Sequence, residues 1–178
     1  MRGVEDYYHD NVGRDQMEAG FMPGDLYEQT HASTVICCHD AIVWQEGRGL
    51  LLIKRKMEPV KNHWWVAGGR LQRGVPVEES LRNRVREESG MILEELTFLY
   101  LGRTCFPTDP FGHGRGSDTL NLTYVARSSN KEVCIDETHT DYMWVNVDNM
   151  DEKRAHLCPY ILHIVEMALE HAKQRQWA

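Results

Sequence analysis

Two hydrophobic periods alternate along this chain. Residues 33–44, STVICCHDAIVW, form a nearly unbroken β-branched and apolar run, the pattern of a buried strand. EGRG (46–49) is turn material, and LLLIKR (50–55) reads as the returning strand. HWWVAGG (63–69) predicts a short strand running into a loop. Leu96–Phe106 and Asp118–Arg127 predict two more strands, and YMWVNV (142–147) another. The stretch PTDPFGHGRGS between the first two of these is rich in Gly and Pro and long enough for a mobile flap. From Pro159 the period changes. Ile161, Ile164, Val165, Ala168, Leu169 and Ala172 fall on one helical face. A short helix is expected over Gly24–Ala32. The sum is an α/β fold, a mixed sheet sandwiched between helices, with no internal repeat and no low-complexity segment.

The segment Gly68–Met91, GGRLQRGVPVEESLRNRVREESGM, carries the most information. Pro76 suits a first helical position, Glu78 and Glu79 favour the positive end of the helix dipole, and Gly90 is suited to leaving the helix. Val77, Leu81 and Val85 make one face apolar, and at ~100° per residue Glu88 continues that stripe. A carboxylate on the core side requires a partner. That partner is either a metal ion or Arg84, one turn back at the ion-pair spacing. The glycine loop just upstream favours the metal.

Composition narrows the function classes. At 178 residues the chain is long enough for one well-buried domain. The net charge of −7 and the lack of a basic run argue against a nucleic-acid surface. The opening MRGVEDYYHDN is acidic rather than signal-like, and no stretch approaches the ~20 apolar residues of a membrane span, so a cytoplasmic protein with no membrane partner is expected. Five cysteines, with Cys37 and Cys38 adjacent, do not form a disulfide framework, and no Cys-x-x-Cys pair suggests zinc. Residues 1–22 read as an N-terminal arm or oligomer contact, and 23–178 as the domain.

The 68–91 segment resembles the Nudix box, which asks for Gly, five residues, Glu, seven residues, Arg-Glu, an apolar residue, any residue, Glu-Glu, any residue, Gly and an apolar residue. Gly69, Val85, Glu87, Glu88, Gly90 and Met91 fit. Val75, Asn83 and Arg84 stand where Glu, Arg and Glu belong, so one carboxylate is replaced by a cation and either a single-ion site or a dead site is expected. CHDAIVWQEGRGLLLIKR (38–55), HWWVAGGRLQ (63–72) and DETHTDYMWVNVD (136–148) follow in the order found in the GDP-mannose mannosyl hydrolase branch of that superfamily, which the chain resembles from about Pro23 onward.

This resemblance implies the Nudix fold, a homodimer, and Mg²⁺-dependent hydrolysis of a nucleotide sugar, with Mn²⁺ as a substitute ion. It makes Glu88 the chief metal ligand, with the Gly68 carbonyl beside it and Glu87 a weaker third; Mg²⁺ usually takes only one or two protein carboxylates plus substrate phosphate. It makes Arg55 and Arg70 the phosphate residues, since a guanidinium grips two phosphate oxygens at once. His139, with a near-neutral pKa, becomes the general base. The family's metal-assisting glutamine is Thr138 here. Asp40, inside an apolar strand, is either paired with a neighbour such as Arg55 or aimed at a sugar hydroxyl. Two other readings stay open: a Nudix pyrophosphatase acting at phosphorus, and a nucleotide-binding Nudix module without turnover.

Overall fold

A computed structural model describes residues 4–7, 18–20, 22–130 and 132–177. Most of the expected N-terminal arm, 1–22, lies outside them. The first element is α1 (Gly24–His31), followed by β1 (Ile36–Gln45) and β2 (Gly49–Arg55). The expected strand from His63 divides into β3 (Trp64–Trp65) and β4 (Ala67–Arg70). The division has a topological reason: β3 pairs with β2, whereas β4 crosses to pair with β1. Then come α2 (Val77–Ser89), β5 (Leu96–Phe106), β6 (Ser117–Arg127), β7 (His139–Val145), α3 (Met150–Arg154) and α4 (Pro159–Gln174). The short α3 was not legible in the sequence.

The seven strands form one mixed sheet in the order β3-β2-β1-β6-β5, with β4 added on β1 and β7 on β2. Only β1 and β6 run parallel among these pairs, at the centre. Side chains of a strand alternate between faces, and β1 shows the consequence. Ile42 and Trp44 pack toward α4, with Leu50, Leu52, Ile161, Ile164 and Val165. Ala41 and Val43 pack toward α2, with Leu51, Ile53, Val77, Leu81 and Val85. The sheet is thus held between two helices, as the periodicity predicts. All six expected apolar positions of α4 are buried.

Helix α2 starts one residue later than the sequence suggests, with Pro76 as its N-cap, and ends on Gly90 in the left-handed conformation (φ 70°). On the α2 side the core also encloses a polar group. His39 Nε2 lies 2.7 Å from Ser80 Oγ, and that oxygen accepts the Gln72 N–H (3.1 Å), tying the glycine loop to both the strand and the helix. No helix among the described residues is long and apolar enough to cross a membrane.

Candidate active site

The elements bring five of the predicted residues to one cleft of about 370 Å³: Asp40 of β1, Arg55 of β2, Gly68 and Arg70 of β4, and Glu88 of α2. Each arrives for a local reason. Asp40 shares the face of Ile42 and Trp44, just beyond the point where apolar side chains fill that face. Arg55 sits at a register shift between β2 and β7, the kind of irregularity that re-aims a side chain. Its Nε donates to the Pro59 carbonyl at 2.9 Å. Arg70 lies over the Tyr27 ring of α1, 4.1 Å from its centre.

Gly68 stands opposite Asp40 in the β1–β4 ladder. Leu71 N–H donates to the Cys37 carbonyl at 3.0 Å, so hydrogen-bonded pairs fall on alternate residues that exclude Gly68. The Gly68 N–H and C=O therefore both turn away from β1. The N–H donates to Glu88 Oε2 at 2.9 Å. A Cβ at position 68 would run into the His39 carbonyl oxygen and Asp40 Oδ1. Gly68→Ala should therefore cost about 1–3 kcal/mol of stability, the usual range for overpacking. A denaturant titration checks it, and a midpoint equal to that of wild type would reject the tight approach.

The charges in the cleft are poorly compensated. Glu88 has a side chain only 12% exposed, with Arg84 Nε 3.9 Å away. Burial pushes its carboxyl up to about 7 against the pull of the Gly68 N–H and Arg84, with the Asp136 charge adding to the rise. Asp40 is likewise pushed up to about 7, first by burial and then by the Glu88 charge. Its Oδ2 is buried with no hydrogen-bond partner, and no ion pair joins it to Arg55 among the described residues. The Glu88 carboxylate beside the outward-turned Gly68 backbone offers oxygen donors that a hard dication fits, and the orphaned Asp40 Oδ2 leaves a second acceptor in the same cleft. Among the described residues no group of three or more His, Cys, Asp or Glu side chains converges as a complete cage. Glu87 lies outside the cleft, 61% exposed and 3.7 Å from Arg84.

His139 opens β7 and is the register partner of Arg55. Its Nδ1 is 2.7 Å from Asp136 Oδ1, and the same oxygen accepts the Thr138 hydroxyl (2.7 Å) and backbone N–H (3.0 Å). Burial lowers the pKa of His139; Asp136 opposes the shift and the Arg55 charge adds to it. Thr138 lines the cleft, whereas the His139 side chain, only 3% exposed, does not. Sequence reasoning missed Asp136 as the holder of His139, although its spacing of three residues was visible. It also missed Tyr27, His31 and Phe111, which line the cleft from α1 and the β5–β6 loop. No sequence signal joins those segments, which are about eighty residues apart.

The comparisons fit this architecture. The chain is 28% identical over 123 residues to a protein of Klebsiella pneumoniae described as nucleoside triphosphatase NudI, covering 66% of this chain and 84% of that one. It is 33% identical over 91 residues to the Escherichia coli protein of that description, covering 49% of this chain and 64% of the relative. Among solved structures, a MutT NUDIX hydrolase from Burkholderia pseudomallei matches with TM-score 0.57 at 26% identity, over 78% of this chain and 98% of that one. The NUDIX domain of Shewanella oneidensis NrtR, solved with ADP ribose, shares the fold with TM-score 0.61 at 16% identity, over 84% of this chain and 99% of that one. The NUDIX domain model matches residues 39–162, well over half of the sequence. The chain belongs to the Nudix family.

Proposed function

We propose that this protein hydrolyses a nucleoside diphosphate sugar of the GDP-mannose type, using a divalent cation. The observation that carries this reading is the gathering of Asp40, Arg55, Gly68, Arg70 and Glu88 around one cleft. Residues 23–178 form the domain in this reading, since α1 supplies cleft residues upstream of the 39–162 match. Glu88 and the Gly68 carbonyl would hold Mg²⁺ or Mn²⁺, which offsets charge on the diphosphate. Glu87, on the outer face of α2, has at most a supporting part. Arg55 and Arg70 bind the diphosphate and stabilise the charge that grows on it as the bond to the sugar breaks. His139 takes the proton from the attacking water, and attack opposite the leaving group inverts the anomeric carbon. Asp40, raised toward neutrality and with its Oδ2 unpartnered, faces the sugar hydroxyls. A cytoplasmic homodimer with a nucleotide-sugar substrate, and neither nucleic-acid nor membrane partners, completes the reading.

A second reading is attack at phosphorus by a Nudix pyrophosphatase. Two observations favour it: the NudI relatives are described as nucleoside triphosphatases, and the His139 side chain does not line the cleft. Turnover in ¹⁸O-water separates the two. The first predicts nucleoside diphosphate plus free sugar, with label on the anomeric oxygen. Label in phosphate, with nucleoside monophosphate and sugar phosphate as products, transfers the protein to the second.

A further inference from the structure

The β5–β6 loop is not an open flap. Asp109 gathers it by accepting the backbone N–H groups of Phe111, Gly112, His113 and Gly114. The gathered loop packs on α1. Arg115 donates to the Ala32 carbonyl at 2.9 Å. Phe111 meets Tyr27 edge-on, with ring centres 5.2 Å apart at 89°, and His31 at 5.4 Å and 68°. His113 Nε2 lies 2.9 Å from His31 Nδ1.

This contact has a direction. The Arg115 backbone N–H donates to His113 Nδ1 at 3.1 Å, so Nδ1 is an acceptor and the neutral ring carries its proton on Nε2. His113 then donates to His31 Nδ1, and His31 must carry its own proton on Nε2. Asp109 Oδ2, at 3.4 Å from His113 Nδ1, is the more distant neighbour, and the Asp109 oxygens already accept four backbone N–H groups, so the Nδ1 lone pair stays with the Arg115 N–H. His31 is 7% exposed and lines the same cleft as Arg70 and Glu88. Among the described residues nothing bonds its Nε2.

We infer that His31 is a specificity-determining residue that donates a hydrogen bond from Nε2 to the base edge of the bound nucleotide, held as a donor by His113. The inference rests on the nucleotide reading of the cleft. The neighbourhood selects the base over the phosphates. Tyr27, His31 and Phe111 give this part of the cleft three aromatic rings, which suit a planar base, and the cleft's lining cations are Arg55 and Arg70, the latter lying over Tyr27. Burial lowers the His31 pKa, and the neighbouring His113 adds to it against the pull of Asp109, which favours the neutral ring and suits an uncharged ring carbonyl or ring nitrogen as its acceptor. The diphosphate has Arg55 and Arg70.

Calorimetric binding of GDP and of inorganic pyrophosphate, both with Mg²⁺, tests this. His31→Phe keeps a ring against Phe111 and deletes the donor. It should weaken GDP binding about tenfold while leaving pyrophosphate within about twofold, since a lost buried hydrogen bond costs on the order of one factor of ten. His31→Gln places an amide nitrogen near the Nε2 position and should recover most of the GDP affinity. His113→Phe, which frees the His31 tautomer, should fall between them. Unchanged GDP binding by His31→Phe overturns the inference, as do equal losses for both ligands or a His31→Gln protein no better than His31→Phe. Retained pyrophosphate binding reports an intact fold in each variant. If wild type binds pyrophosphate but not GDP, the nucleotide reading fails and this inference with it; if wild type binds GDP and His31→Phe binds it equally, this inference fails alone.

Discussion

Glu88→Gln should lower cation-dependent turnover by about 100-fold or more, because an ion held at developing phosphate charge supplies several kcal/mol at the transition state and each 1.36 kcal/mol is tenfold in rate. The substitution keeps the shape of a side chain that is only 12% exposed and keeps an oxygen to accept the Gly68 N–H. What it removes is the negative charge. Glu87→Gln should matter far less, because Glu87 lies on the exposed side of α2 and its charge is spent on Arg84. The contrast between adjacent glutamates isolates the ion from general electrostatics, which would respond to both. Activity of Glu88→Gln equal to wild type at limiting Mg²⁺ would sink the assignment. A wild-type protein that binds nucleotide yet takes up neither Mg²⁺ nor Mn²⁺ would be the binding module instead.

The Glu88 environment also shows how far sequence patterning reaches. The stripe Val77–Leu81–Val85–Glu88 places a carboxylate on the core side from helical periodicity alone, and the structure puts it there. Its choice of partner was not legible. Arg84 stands one turn back as the spacing requires, but at 3.9 Å, while the closest hydrogen bond comes from a backbone amide twenty residues upstream. The same limit applies to Asp40. The sequence marks it as a lone charge in an apolar strand and leaves open a pairing with Arg55. In the fold Arg55 turns its Nε to Pro59, and Asp40 Oδ2 is left without a partner. Strands and helices follow local periodicity, so β1, β2, β5, β6, α2 and α4 could be read along the chain. The split of β3 from β4 depends on two different neighbouring strands. The His31–His113 contact joins residues 82 apart through a loop whose Gly and Pro content predicts only irregularity. Nonlocal contacts of this kind leave no period to detect.

His139→Gln should lower kcat by about 10²–10⁴, the usual loss when a general base is removed, with nucleotide affinity nearly unchanged. Asp136 Oδ1 accepts from the His139 side at 2.7 Å, which places the imidazole proton on Nδ1 and leaves Nε2 with a bare lone pair. Burial and the Arg55 charge lower the pKa of the ring, the former most, against the opposing pull of Asp136. A base must be unprotonated to act, so His139 gives the rate an acid limb lying below the ordinary histidine value of ~6.5, while Glu88, pushed up to about 7 in the ion-free protein, gives a separate limb that a bound cation draws downward. Asp136→Asn should weaken the hold on the Nδ1–H tautomer and reduce kcat less than His139→Gln does. Thr138 lines the cleft and His139 does not, so the base role requires that the 136–139 turn admit the attacking water to Nε2. That requirement gives the prediction its sharpest alternative. If His139→Gln leaves kcat nearly intact, keeps the wild-type acid limb and lowers the melting temperature, the histidine is a brace between β7 and the Asp136 turn. The base must then be sought on the cleft wall itself, where attack at phosphorus would be served.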